Sequence, residues 1–148
     1  MFLSLSKVND NDDNDNTAQV SFLHGVASGD PLADKVILWT RVTPVSSGSS
    51  LDVEWQIASD NTFNTIIHKG TSKTNGGQDY TVKVDATGLQ PNTSYFYRFI
   101  CGGVTSPIGK TKTLPVTNVN QVKLAVVSCS NYPAGYFHAY ADIAKRSD

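Results

Sequence analysis

The two cysteines carry the most reactive side chains of this sequence, and they stand in different settings. Cys101 lies in an alternating aromatic run, "YFYRFIC", whereas Cys129 ends the apolar run of "KLAVVSCS" and is followed at once by a turn. The pair permits one disulfide without requiring it. The ordinary alternative for each is a small buried apolar side chain, and Cys101 is predicted to be such a core residue. Spacing alone leaves the role of Cys129 open.

An acidic stretch near the N-terminus, "KVNDNDDNDNTAQ", has side chains of the kind that bind calcium. Three of them alternate as the ligands of an EF-hand loop do: Asp10, Asp12 and Asn14. That loop needs glycine at its sixth place and an acidic residue at its twelfth, where this sequence has Asp15 and Ser21. The stretch also has nothing to bury, so residues 1–19 are predicted to form a disordered leader.

The three histidines do not form a recognisable metal-binding pattern. His24 and His68 lie in strand-like segments, with no carboxylate or cysteine at metal-ligand spacing, and both are predicted to be structural. His138 falls on a predicted helix close in sequence to Cys129. A role beside a metal or substrate is conceivable there, but a place on the helix surface is the favoured interpretation.

Length and charge exclude several classes of protein. The chain has 148 residues, enough for one ordinary domain with a core but not for a second full domain. Lysine and arginine number 12 against 13 acidic residues, a net charge of -1, so there is no basic field for specific nucleic-acid binding. No apolar run approaches the roughly 20 residues of a membrane span. The opening "MFLSLS" is too short for the apolar region of a secretory signal.

Seven short apolar segments with turn-forming clusters between them predict an all-β fold. They cover residues 20–28, 35–42, 51–59, 65–71, 79–87, 94–102 and 108–114. Strands of this length and spacing are typical of an antiparallel β-sandwich. The alternation in the third segment predicts that Val53, Trp55 and Ile57 face the core, while Asp52, Glu54 and Gln56 face solvent. Residues 20–114 are therefore predicted to be an immunoglobulin-like or fibronectin III-like sandwich.

The stretch "LQPNTSYFYRF" carries the most specific signal within this region. A Leu-x-Pro-x-Thr-x-Tyr pattern before an alternating strand resembles the entry to strand F of fibronectin type III-like domains. Tyr95 is predicted to form a tyrosine corner, hydrogen-bonded to nearby backbone. The opposite face of the same strand carries Phe96 and Ile100, which is more apolar surface than a solvated face needs, so we expect something to cover them.

The character of the chain changes after residue 114. Residues 115–121 read as a linker, and Leu124 to Val127 then form a continuous apolar run, as in a central strand buried on both faces of an α/β sheet. The segment "PAGYFHAYADIAKR" predicts a helix that starts near Pro133 and ends with two basic residues. Residues 122–148 thus predict one strand and one helix that need partner strands to be buried.

Two long motifs resemble the PhoD-like alkaline phosphatases, whose N-terminal sandwich precedes a metallophosphoesterase domain. They are "HGVASGDPLADKVILWTRVTP" at 24–44 and "VVSCSNYPAGYFHAYADIAKRSD" at 126–148. Ser28 and Asp30 belong to the first motif, although nothing in the sequence activates Ser28 and Asp30-Pro31 is predicted to be a turn. With the fibronectin-like pattern, the resemblance covers residues 20–148. Residues 122–148 then look like the first strand and helix of a truncated catalytic domain.

The resemblance implies hydrolysis of phosphate monoesters or diesters by clustered metal ions, iron with calcium. It places an iron ligand at the cysteine that ends the first catalytic strand, which is Cys129 here. A soft thiolate suits iron, and the end of a strand beside a loop is where α/β sites gather ligands. The family's later aspartate, asparagine and histidine ligands do not occur up to Asp148. We therefore expect this chain to bind no metal and to be inactive alone. The resemblance also implies a location outside the cytoplasm.

Two other functions stay open. One is a free-standing fibronectin III-like module that binds carbohydrate or protein, and the other is a purple acid phosphatase, which also joins a sandwich to a metallophosphoesterase domain. A mere tail would not show buried-strand patterning followed by a helix, so residues 122–148 favour the phosphatase. The cysteine motif favours the PhoD-like family over the purple acid phosphatases. An unpaired strand also predicts self-association through its exposed edge.

Overall fold

The structure is a computed structural model that describes residues 20–121, 123–128, 131, 133 and 137–145. The predicted leader, residues 1–19, lies outside these. The chain divides into two compact units, Met1–Val116 and Thr117–Asp148. Within the described residues, no helix is long and apolar enough to cross a bilayer.

The described residues of the first unit form ten strands. Their bounds in chain order are β1 Val20–Ser21, β2 Val26–Gly29, β3 Lys35–Arg41, β4 Thr43–Pro44, β5 Leu51–Ala58, β6 Ile66–Thr74, β7 Thr81–Thr87, β8 Ser94–Cys101, β9 Val104–Thr105 and β10 Gly109–Lys112. A short 3-10 helix, Gly76–Gln78, joins β6 to β7. Each of the seven predicted segments overlaps at least one of these strands, and β6 extends three residues beyond its predicted segment.

The strands form antiparallel sheets. One sheet has the order β2-β3-β7, and the other has the order β10-β8-β5-β6, with β9 paired to β8. A further small pair joins β1 and β4. These two sheets correspond to the two layers of a fibronectin type III-like sandwich. The predicted all-β antiparallel sandwich is confirmed.

The core lies between the two layers and is filled by alternate residues of the strands. Val36 and Leu38 of β3 pack in the same buried cluster as Val53 and Ile57 of β5, with Phe99 of β8 fully buried among them. Burying a side chain of this size contributes about 1.5–3 kcal/mol. The tyrosine corner is present too, since the amide of Gln90 donates to the Tyr95 hydroxyl at 2.8 Å.

One prediction about the faces of β5 is wrong, because Gln56 on the outer face is buried, with 7% of its surface exposed. Arg98 Nε donates to Gln56 Oε1 at 2.8 Å, and Gln56 Nε2 donates to Glu54 Oε1 at 2.6 Å. The Arg98 guanidinium also lies 4.0 Å from the ring centre of Phe63, which is itself buried. A loop side chain that the alternation could not reveal therefore helps to cover this face.

That loop, between β5 and β6, is held by a single carboxylate. Asp60 accepts hydrogen bonds from the amides of Thr62, Asn64 and Thr65 at 3.0, 3.1 and 2.9 Å. These bonds, with one from the Thr62 hydroxyl as the largest effect, lower the pKa of Asp60 to about 2. The loop holds Phe63 at a φ of 58°, which is unusual for a residue with a side chain.

The second unit contains one helix among its described residues, α1, His138–Ala144. It is shorter than the predicted helix, which began near Pro133. Residues 123–128 form no strand and are exposed, so the strand predicted over 122–128 is not found there. Leu124 and Val126 expose 80% and 87% of their surface. A strand needs a neighbour to receive its backbone hydrogen bonds, and none of the described strands is paired with residues 123–128.

Candidate functional site

The predicted metal ligand, Cys129, lies outside the described residues. Among the residues that are described, no group of three or more histidine, cysteine, aspartate or glutamate side chains could hold a metal ion. Cys101 is a free, buried thiol, so it is a core residue as predicted. Burial raises its pKa, and nearby Asp52 adds to the effect. A thiol held protonated in this way is a poor nucleophile and a poor metal ligand.

The two histidines of the sandwich have structural surroundings. His24 Nε2 lies 3.2 Å from Arg41 Nη1, and Arg41 also forms a two-point ion pair with Asp79 at 2.8 and 3.0 Å. His68 Nε2 lies 3.4 Å from the carbonyl oxygen of Gly88. Neither histidine belongs to a group of three or more metal-ligating side chains among the described residues. His138 is the first residue of α1 and is exposed.

The motif "ASGDP" crosses the end of an edge strand. β2 ends at Gly29, and Asp30 follows with a φ of 46°, which turns the chain away from the sheet. The turn places Leu32 so that its amide donates to the carbonyl of Lys35 at 2.8 Å. Ser28 interacts with the phenol of Tyr97, whose pKa is raised by burial. Ser28 has no basic partner there, so it is not an activated nucleophile.

This turn forms one wall of an open groove of about 460 Å³ on the outer side of the three-stranded sheet. The residues that line it are Asp30, Pro31, Leu32, Lys35, Ile37 and Asp85. Ile37 stands directly opposite Asp85 across the β3–β7 ladder. Lys35 Nζ donates to Asp85 Oδ2 at 2.8 Å, and this bond raises the pKa of Lys35. The groove therefore combines apolar side chains with a fixed ion pair.

The groove lies where the chain leaves the sandwich. The amide of Leu114 donates to the carbonyl of Leu32 at 2.9 Å, and the carbonyl of Leu114 accepts from the amide of Asn92 at 3.0 Å. A third connection joins the same turn to Leu89, whose amide donates to the carbonyl of Asp34 at 2.9 Å. Three hydrogen bonds thus join the exit point, the turn at residues 30–34 and the loop between β7 and β8.

Comparison with known proteins agrees with this architecture. A family model described as the PhoD-like phosphatase N-terminal domain matches residues 7–115. This chain belongs to that family. It is 44% identical over 138 residues to alkaline phosphatase D of Bacillus subtilis (strain 168), a match that covers 88% of this chain and 24% of that protein. The resemblance seen in the sequence motifs is confirmed.

A solved structure of PhoD gives the same result in three dimensions. Its TM-score to this chain is 0.81 at 44% identity, over 85% of this chain and 26% of that one. The chain therefore spans about a quarter of the length of the relatives it matches.

No local pattern in the sequence predicts the groove. Lys35 and Asp85 are 50 positions apart, so their pairing depends on the register of β3 against β7. A weak signal was present, because Lys35 and Ile37 alternate with the buried Val36 and Leu38 and so had to share the outer face. The turn at Asp30-Pro31 was predicted, but its hydrogen bond to the chain exit was not.

Proposed function

We propose that this chain is the N-terminal portion of a PhoD-like alkaline phosphatase or phosphodiesterase. Residues 20–114 act as its accessory sandwich, residues 115–121 as a linker, and residues 122–148 begin the metal-dependent catalytic domain. On this proposal the substrates are phosphate esters, and the site of action is outside the cytoplasm, as in the family that the motifs resemble.

The observation that carries the proposal is the extent of the match to alkaline phosphatase D. It covers 88% of this chain, whereas the sandwich unit ends at Val116 and makes up less than four-fifths of it. The similarity therefore continues into the residues that follow the sandwich. A free-standing binding module would have no reason to resemble a phosphatase beyond its own fold.

The residues that the structure describes do not fit a metal site, since no three ligand-type side chains gather among them. We propose Cys129 as one iron ligand of the longer enzyme, with calcium beside the iron and the remaining ligands supplied by residues that follow the matched quarter. The chain of 148 residues alone then has no metal cluster with which to hydrolyse an ester.

Activity assays on this chain test the first part of the proposal. Purified chain with iron and calcium is expected to hydrolyse p-nitrophenyl phosphate and a phosphodiester no faster than the metals alone. Turnover that elutes together with the folded chain would contradict this expectation.

A chimaera tests the second part. Residues 1–148 replace the matching quarter of the Bacillus subtilis alkaline phosphatase D, and the product is expected to be an active phosphatase. In that chimaera, Cys129→Ser is expected to lower both bound iron and turnover by at least about tenfold. Cys101→Ser is the matched control, because Cys101 is a buried free thiol, and it should leave the iron content unchanged. A folded but inactive chimaera would instead favour a binding module.

A further inference from the structure

We propose that the corner surface, defined as Asp30, Leu32, Lys35, Ile37 and Leu114, is where the sandwich packs against the catalytic domain of the longer enzyme. The occupant is thus the part of the phosphatase that follows the matched quarter, and the inference rests on the proposed function. It adds a docking surface that neither the fold nor the motifs identify.

The corner surface exposes more apolar area than a solvated turn needs. Leu32 and Leu114 expose 49% and 47% of their surface, and Val116 close by in the chain exposes 73%. The hydrogen bond from the Leu114 amide to the Leu32 carbonyl brings the first two of these residues together. A contiguous exposed apolar group at the edge of an ion pair is typical of an interaction site.

The sheet beside the groove is open to close approach. Ile37 and Trp39 lie half-buried on the outer face of β3, and the residues opposite them on β2 are Gly29 and Ala27. Because Gly29 and Ala27 are small, they leave the side chains of Ile37 and Trp39 accessible from the β2 side, and a second protein surface can contact them. Ile37 belongs both to this half-buried pair on β3 and to the lining of the groove.

The position of the chain exit identifies the occupant. The polypeptide leaves the sandwich at Leu114, whose amide is fixed to the turn that forms the groove wall. About three-quarters of each matched relative lies outside the region that this chain covers. A domain tethered a few residues from an exposed apolar patch meets it at a high effective concentration, so little intrinsic affinity is needed.

The charges indicate what the opposing surface should contain. Asp85 and Asp34 are the carboxylates that act on the ammonium group of Lys35, and Asp30 lines the same groove. Within the described residues, the carboxylate of Asp30 has no hydrogen-bond or ion-pair partner. A domain that presents an apolar side chain with an arginine or lysine beside it would match both features of the corner surface.

The outer face of the five-stranded sheet is less suited to this role. Its polar groups pair with one another, as Arg98 with Gln56 and Lys73 with Asp52, and the buried ring of Phe63 lies against Arg98. Lys69, Lys110 and Lys112 add flexible charges there, since their neighbours in register include Gln56, Phe96 and Ser94. Phe63 supplies apolar cover for part of that face, and Phe96 and Ile100 on the same face are only partly exposed.

Hydroxyl-radical footprinting of the active chimaera tests the inference, with the 148-residue chain as reference. The oxidation rates of Leu32, Ile37 and Leu114 are expected to fall at least about fivefold in the chimaera, as burial of exposed side chains requires. Val104 on β9 and Ile66 on β6 have comparable exposure and are the controls, with rates that should stay the same. Equal rates for the corner surface in both proteins would overturn the inference while the activity of the chimaera upheld the proposed function.

A charge substitution provides the second readout. In the chimaera, Leu32→Asp is expected to lower the melting temperature of the folded protein by at least about 4 °C. In the 148-residue chain, the same substitution should lower the melting temperature by less than about 1 °C. Val104→Asp should leave both unchanged. If Leu32→Asp lowers both proteins equally, its role is confined to the sandwich and the inference fails. A chimaera that folds but is inactive would contradict the proposed function, and the docking surface that rests on it would then be rejected as well. The same footprint at the aligned residues of the Bacillus subtilis enzyme decides the question if the chimaera does not fold.

Discussion

The sandwich and the described residues after Val116 use similar apolar side chains with opposite results. Val53 and Ile57 of β5 are fully buried, whereas Leu124 and Val126 expose most of their surface. Both segments have the composition of a strand, but β5 is paired with a strand on each side, whereas no strand is assigned to residues 123–128 in the described part of the chain. A segment with strand propensity therefore forms a strand only where a neighbouring strand forms hydrogen bonds with it and a second sheet buries its side chains.

The largest expected contrast is between two truncations to alanine. Phe99→Ala removes a fully buried ring from the centre of the core and should lower the free energy of unfolding by about 3–5 kcal/mol. Val126→Ala removes an exposed side chain and should change it by less than about 0.5 kcal/mol. Urea unfolding followed by tryptophan fluorescence measures both. Similar losses for the two variants would mean that the second unit also has a packed core.

A smaller contrast is expected between two tyrosines that lose only a hydroxyl group. Tyr95→Phe leaves the Gln90 amide without its acceptor and should cost about 1–2 kcal/mol. Tyr140→Phe, in the exposed helix α1, is the matched control and should have no measurable effect on unfolding. If Tyr95→Phe is also neutral, water replaces the hydroxyl and the tyrosine corner does not stabilise the sandwich.

The Asp60 loop predicts a dependence of stability on pH. The folded-state pKa of Asp60, about 2, lies below the ordinary value of 3.8, so its hydrogen bonds stabilise the sandwich above about pH 4. That contribution should be lost as the pH falls from about 4 to about 2. Asp60→Asn should be less stable than the parent at pH 7, and the difference should shrink toward pH 2. Asp52→Asn, which removes an exposed pair with Lys73, serves as the control. A difference that stays constant with pH would assign the effect to side-chain shape instead.

Deletion of residues 121–148 is expected to change the stability of the sandwich very little. Removing residues 121–148 should shift the melting temperature of the sandwich by less than about 2 °C, because the described residues of that segment are almost all exposed. The same deletion should reduce self-association, which we propose occurs through Leu124 to Val127. Melting curves and light scattering on both chains measure the two effects. A large drop in melting temperature would show that the segment belongs to the sandwich core.

The parts of the fold that were predicted correctly depend on local signals. Alternation along β8 separated the inward side, which includes Cys101, from Phe96 and Ile100, and the pattern before Tyr95 located the tyrosine corner. The burial of Gln56 was not predictable in this way, because it follows from Arg98 on the neighbouring strand and from Phe63 in a loop. The corner surface was missed for the same reason, since Lys35 meets Asp85 only through strand register.

The sequence by itself determined the class of fold and the family, because these follow from periodicity and from motifs that are contiguous along the chain. The tertiary structure alone decided which outer face of the sandwich is covered and which stays open. It also decided that the apolar run at 123–128 forms no strand. The physical reason is common to both: burial and strand pairing belong to pairs of segments distant in sequence, and their free energy is gained only when both segments are in place.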